Sequence, residues 1–167
     1  MTPHWEPLDT PDLARVDAIQ RIIHAELPER LEFLAEKLAL CPEGCRKLVR
    51  GGEMVGYGLS HPWTLGRVPT LNATLHPMPA EPDCLHMHDV AILPEGRGAN
   101  AAGIYVDHLR ALARERGFGT LACVSVYGTE QLWGRHAFRA ADPQPDRDAL
   151  RSYGAARYLV ARAADDS

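Results

Sequence analysis

Apolar positions along the chain recur with two different periods, and the changes of period divide it into elements. Leu13, Val16, Ile19 and Ile23 recur at three- and four-residue spacing behind Thr10 and Pro11, which predicts a helix running to about Glu26. Pro28 separates it from a second helix with Leu31, Leu34 and Leu38 on one side, ending near Cys41-Pro42-Glu43-Gly44. Arg46 to Arg50 and Met54 to Leu59 read as two strands turning at Gly51-Gly52, a β-hairpin. From Ser60 to Asp83 the chain carries Pro62, Pro69, Pro77, Pro79 and Pro82, a density that predicts a long surface excursion without a central strand. Leu85 to Leu93 is the next strand, followed by a helix from about Gly98 to Arg116 whose apolar contacts come from Ile104, Val106, Leu109 and Leu112. Arg110, Arg114 and Arg116 suit the end of that helix and Gly117 stops it. Leu121 to Val126 is then a strand parallel to the previous one, because a helix connects them. A short helix, Thr129 to His136, precedes two closing strands, Phe138 to Ala141 and Ala156 to Ala163.

Composition narrows the class. With 167 residues, 46% hydrophobic and 24% charged, the chain is expected to form one globular domain spanning residues 1–167, and disordered and fibrous classes are excluded. No apolar run approaches the roughly 18 residues of a membrane span, and the start Met-Thr-Pro-His-Trp-Glu lacks the regions of a signal peptide, so no membrane contact and a cytoplasmic location are expected. The net charge of −4 divides at Pro94 into 8 basic against 13 acidic residues before it and 10 against 9 after, which makes nucleic acid an unexpected partner. Cys41, Cys45, Cys84 and Cys123 have no zinc-finger spacing and read as free thiols.

The segment Leu85 to Gly103, LHMHDVAILPEGRGANAAG, changes the picture most. A strand there runs through a proline into a glycine-rich turn and directly into a helix. The first turn of a helix has unpaired N–H groups and the positive end of the dipole, so a diphosphate is held there without a lysine. Gly98, Ala99, Ala101, Ala102 and Gly103 let a ligand approach the main chain, and Arg97 adds a cation of fork geometry.

In element order and length the chain resembles the GCN5-related N-acetyltransferase (GNAT) family. The family's Pro, then (Gln/Arg)-x-x-Gly-x-(Gly/Ala), is similar to Pro94 followed by Arg97-Gly98-Ala99-Asn100-Ala101-Ala102, with Asn100 in place of the first signature glycine. Asn tolerates the left-handed conformation such a position requires. The segment Val126 to Phe138 is similar to a second family block, with Leu132, Trp133, Ala137 and Phe138 at its last positions. Trp133 stands at the family's frequent general-acid tyrosine, and an indole does not serve as an acid; Tyr127 is the nearest replacement in sequence. The resemblance implies an α+β fold, a mixed, splayed central sheet between helices in three α/β/α layers. It implies acetyl-CoA as co-substrate and no metal, with the pantetheine arm on backbone groups of Val90, Ala91 and Ile92 and the diphosphate on the amides of Gly98, Ala99, Asn100, Ala101, Ala102 and Gly103. It further implies transfer of the acetyl group to a primary amine of a small molecule by direct attack, and a homodimer paired through a closing strand as one arrangement.

A protonated amine has to lose a proton before it attacks, and histidine suits that task near neutrality. His86 and His88 lie two apart on a strand, hence on one face, and Val90 and Ile92 continue that face by alternation. The pair resembles the His-x-His of the arylalkylamine N-acetyltransferases, which implies a catalytic proton relay; half-buried structural histidines are the plainer reading. Alternation puts Asp89 on the opposite face, from which a bulge would turn it toward a substrate ammonium. His61 and Trp63 are candidate lining of an acceptor pocket, and Ser125 and Cys123 lack the neighbours of a covalent catalyst. A metal site from His76, His86 and His88 requires a distant loop to converge. Two other readings compete. Gly96 to Ala101 also fits Gly-x-Gly-x-x-Ala of a dinucleotide fold, but too little chain follows for the further strand–helix units. The missing tyrosine and Asn100 keep open a degenerate domain that binds coenzyme A or a protein partner without catalysis.

Overall fold

The computed structural model describes residues 1–164. Seven strands form one sheet in the order β1-β2-β3-β4-β5-β7-β6: β1 His4–Pro7, β2 Arg46–Arg50, β3 Glu53–Trp63, β4 Cys84–Ile92, β5 Thr120–Ser125, β6 Arg139–Ala140 and β7 Arg157–Arg162. All neighbours are antiparallel except β4 and β5, which pair in parallel as the intervening helix requires. Helices α1 (Leu13–Ile23) and α2 (Leu31–Leu40) cover one face, burying Val16, Ile19, Leu34 and Leu38 against Tyr57, Leu59 and Ala91. Helix α3 (Ala101–Glu115) covers the other, burying Tyr105, Val106, Leu109 and Leu112 against Leu85, Met87 and Leu121. The three-layer, mixed-sheet α+β architecture expected from the sequence is the one observed.

Several local expectations are corrected. Ile104 is exposed, and Tyr105 takes the inward position instead, its hydroxyl bonded to Ser60 (2.7 Å) and to the Gly44 carbonyl (2.7 Å). A Cβ at Gly58 would collide with that buried ring, which is why a glycine stands there in mid-strand. The strand at Met54 does not stop at Leu59 but runs through Pro62 to Trp63. Its register with β2 ends at Gly58, so Pro62 lies where β3 has a ladder partner on one side only and the missing N–H costs no bond on the other. Strand β1 was not expected; its Trp5 stacks on Tyr105 (5.0 Å between centroids) and donates to the Ala101 carbonyl (2.8 Å), fixing the first turn of α3. The short helix α4 covers Glu130–Gly134, and the turn between the closing strands contains a further helix, α5 (Arg147–Arg151).

Candidate active site

The ladder between β4 and β5 covers only Leu85↔Leu121, His86↔Ala122 and Met87↔Cys123. Beyond Met87 the two strands separate, while β4 remains paired with β3 as far as Ile92. The edge of β4 facing the gap thereby has no strand partner among the described residues at Val90, Ala91 and Ile92. A cavity of about 880 Å³ occupies the gap, lined by β4, β5, the turn before α3, helix α4 and the end of α1.

At one end of the cavity the turn before α3 has three successive residues in the left-handed region: Gly98 (φ 93°), Ala99 (φ 50°) and Asn100 (φ 55°). Two of the three are not glycine, a costly choice that persists where surrounding structure demands it. Consecutive N–H groups in such a turn are suited to form an anion nest. Those of Gly98, Ala99, Asn100, Ala102 and Gly103 have no acceptor among the described residues, whereas Ala101 closes the turn on the Gly98 carbonyl (3.1 Å). Asn100 adopts a left-handed backbone, which asparagine tolerates better than most residues, and its side chain packs where a Cβ on Gly103 would collide with it. The turn fits a diphosphate. Arg97 is exposed beside it and donates to the Ile92 carbonyl (3.3 Å).

At the other end a bulge in β4 decides which side chains face which way. The register passes from Leu59↔Asp89 to Ser60↔Met87, leaving His88 as an extra residue. Alternation therefore breaks: Leu85 and Met87 pack beneath α3, but Ala91 and Leu93 pack against α1 and α2, and Val90 turns to the α3 side. Val90 and Ile92 do not continue the face of His86 and His88, and Asp89 is not opposite His88; both expectations fail on the inserted residue. His88 and Asp89 instead reach partners on the same, α1/α2 side.

Those two residues lead into separate networks. Asp89 accepts from the Tyr57 hydroxyl (2.6 Å) and from the His24 ring (2.7 Å), which sits just past the end of α1 and stacks against Tyr127 (5.8 Å between centroids). His24 and Asp89 both line the cavity, with side chains 14% and 9% exposed. Burial alone would lower the His24 pKa, but the charge and hydrogen bond of Asp89, helped by Glu29 and the Val90 carbonyl, raise it. His88 donates to both carboxylate oxygens of Glu29 (3.0 and 3.2 Å) and its other nitrogen meets His61 Nε2 (3.3 Å). His61 Nδ1 can only donate to the Pro62 carbonyl (3.0 Å), and burial holds His61 far below the ordinary histidine value, so its Nε2 accepts and His88 donates from both nitrogens. Burial would raise the Glu29 carboxyl; the charge and hydrogen bond of His88, with Lys37 and the Asn72 N–H, outweigh it and hold it at about 2.

The sequence candidates are thus dispersed. His88 and Tyr127 line the cavity, although neither nitrogen of His88 is free. His86 is buried away from it, held neutral by burial, its Nδ1 without a partner among the described residues. His61 and Trp63 are buried and form no part of the cavity wall. Trp133 lines the cavity at the tyrosine position, packed on Phe138 (6.2 Å) and His136 (6.4 Å). His24 was missed by sequence reasoning, because a histidine after an amphipathic helix carries no signal until the bulge brings Asp89 to it. Among the described residues no group of three or more ligating side chains is arranged for a metal, no helix is long and apolar enough to cross a membrane, and all four cysteines are free and buried.

Comparison with known structures places this geometry in context. The chain is similar to N-acetylglutamate synthase from Neisseria gonorrhoeae, solved with coenzyme A and N-acetyl-glutamate, at 19% identity and TM-score 0.73 over 99% of this chain. It spans 36% of the length of that protein. Ard1 from Thermoplasma volcanium gives 12% identity and TM-score 0.72, covering 99% of this chain and 100% of that one. The ribosomal-protein-S18-alanine N-acetyltransferase from Escherichia coli gives 16% identity and TM-score 0.65, covering 99% and 97%. At these identities the likeness is one of fold. A comparison with curated proteins yields no match. The model of the acetyltransferase (GNAT) family matches residues 16–138, and the chain therefore belongs to that family.

Proposed function

We propose that this protein transfers an acetyl group from acetyl-CoA to the primary amine of a small molecule, by direct attack in a ternary complex in the cytoplasm. The observation that carries the reading is the gap between β4 and β5, which joins the anion nest at Gly98–Asn100 to the carboxylate of Asp89 within one cavity. The amides of Gly98, Ala99, Asn100, Ala102 and Gly103 hold the diphosphate, with Ala101 closing the turn and Arg97 leaving the Ile92 carbonyl for a phosphate oxygen. The pantetheine arm pairs with the unpartnered edge of β4 at Val90, Ala91 and Ile92, as an added strand would. Bound there, acetyl-CoA supplies an activated acyl carbon and a thiolate leaving group. At the acceptor end Asp89 attracts an ammonium, and Glu26 acts on Tyr127 with the same sign. His88, with His86 behind it, supports this end through Glu29 and His61.

The test is calorimetric titration with acetyl-CoA, followed by a screen of primary amines for acceptor-dependent thiol release. Binding that Arg97→Ala weakens, together with release for some amines, is the expected result. Binding without release for any amine identifies the non-catalytic alternative, which the tryptophan at position 133 favours. Absence of binding overturns both.

A further inference from the structure

We infer that the His24–Asp89 pair moves the protons of the acyl transfer, with Asp89 taking one from the attacking amine and His24 giving one to the departing thiolate. This rests on the acetyl-transfer reading above. A coenzyme whose diphosphate lies on the turn before α3 threads its arm along β4 from Ile92 toward the closed apex of the gap at Met87 and Cys123. The thioester, at the end of that arm, arrives beside Asp89 and Val90, both of which His24 contacts.

The other proton-bearing groups of the cavity are poorly suited. Trp133 has no acidic proton. Burial pushes the Tyr127 hydroxyl up and the Cys123 thiol far up, so neither gives its proton readily. Burial lowers His136, which makes its imidazolium harder to keep, and His88 has both nitrogens engaged with Glu29 and His61. His24 is the histidine at the apex whose surroundings, Asp89 above all, raise its pKa and favour its charged form. The groups facing it are Asp89 on β4, Tyr127 after β5, and Glu29 of the α1–α2 connection, whose charge is offset by His88 and Lys37; Tyr57 on β3 reaches it through Asp89.

The balance closes within the pair. The bound ammonium first releases one proton to solvent through the cavity; the neutral amine then attacks the carbonyl carbon, the C–N bond forms, and the C–S bond breaks with its electron pair on sulfur. The nitrogen proton passes to the Asp89 carboxylate and the His24 proton passes to sulfur. Asp89 then returns its proton to His24 across their 2.7 Å hydrogen bond, regenerating the ion pair with amide and free thiol as products.

The experiment is the pH dependence of kcat for acetyl-CoA and the fastest primary amine of the screen, with acetyl-CoA affinity measured alongside. The unmodified protein should lose activity on the alkaline side as His24 deprotonates. His24→Gln should lower kcat by about 100-fold, abolish that limb and leave acetyl-CoA binding unchanged. Asp89→Asn, which keeps the side-chain shape, should move the limb to lower pH, and it serves as the test if His24→Gln does not fold. A His24→Gln protein within about three-fold of the parent with the same alkaline limb, or an unmoved limb in Asp89→Asn, overturns the inference while leaving the acetyl-transfer reading intact. Acetyl-CoA binding with no transfer to any amine overturns both.

Discussion

Two carboxylate–imidazole pairs lie within one region of this protein, and they differ in what surrounds them. Glu29 and His88 are 4% and 1% exposed, and every polar atom of the pair has a protein partner: His61, Lys37 at 4.0 Å and the Asn72 N–H at 2.9 Å. Gln20 closes the same loop by accepting from the Glu29 N–H (3.0 Å) and donating to its carbonyl (2.6 Å). Asp89 and His24 have fewer partners and both line the cavity, which of the first pair only His88 reaches, with both its nitrogens already engaged. A pair saturated inside the fold has no valence left for a substrate and ties segments together: the α1–α2 connection, β4 and the proline-rich excursion. A pair with a cavity on one side keeps its chemistry available. The same two functional groups are thus a clamp in one setting and a candidate proton carrier in the other.

The comparison is broken most severely at Glu29. Glu29→Gln leaves His88 and Lys37 buried without a counter-charge and should cost about 3–5 kcal/mol, read as a fall in the urea midpoint at unchanged slope. Asp89→Asn should cost only about 1–2 kcal/mol in the same measurement, since its pair is partly reached by solvent; equal losses would erase the distinction between the pairs. Next is the nest: Arg97→Ala should weaken coenzyme A binding by about 10-fold in calorimetry without changing the melting temperature of the free protein.

Opposite pH responses sharpen the contrast further. The folded Glu29 carboxyl is held at about 2, below its ordinary 4.5, so its contribution is present above pH 4.5 and is lost as pH falls toward 2. The folded His24 ring is raised above 6.5, so its contribution is present below that value and is lost as pH rises through the raised value. Unfolding free energy followed against pH should show both losses, with Glu29→Gln removing the acid one and His24→Gln the alkaline one. The smallest effect is expected at Asn100→Gly, which relieves a left-handed asparagine at about 1 kcal/mol or less and should hold coenzyme A binding within a few-fold.

Much of this was legible in the chain. The period of Leu13, Val16, Ile19 and Ile23 specifies α1, the double glycine at 51 and 52 the hairpin, and the small residues from Gly98 to Gly103 the left-handed turn into α3. These are local signals, carried by residues within a turn or two of one another. The excursion after Ser60 was misread at its start, because Pro62 disrupts a strand only where its N–H would have met a partner, and sequence does not show where β2 ends. Trp5 gave no sign of its place over Tyr105, 100 positions away.

The candidate site divides along the same line. Sequence determined the turn at one end of the cavity, since helix start, glycine and the left-handed tolerance of Asn100 are properties of neighbouring residues. It also placed His86, His88 and Asp89 on one strand. Only the tertiary structure decided which of them faces the cavity. A strand's side chains alternate until a residue is inserted opposite a partner, and whether one is inserted depends on the register with β3, set by packing along the whole ladder. That one extra residue turned Asp89 toward His24, 65 positions away, and closed His88 onto Glu29.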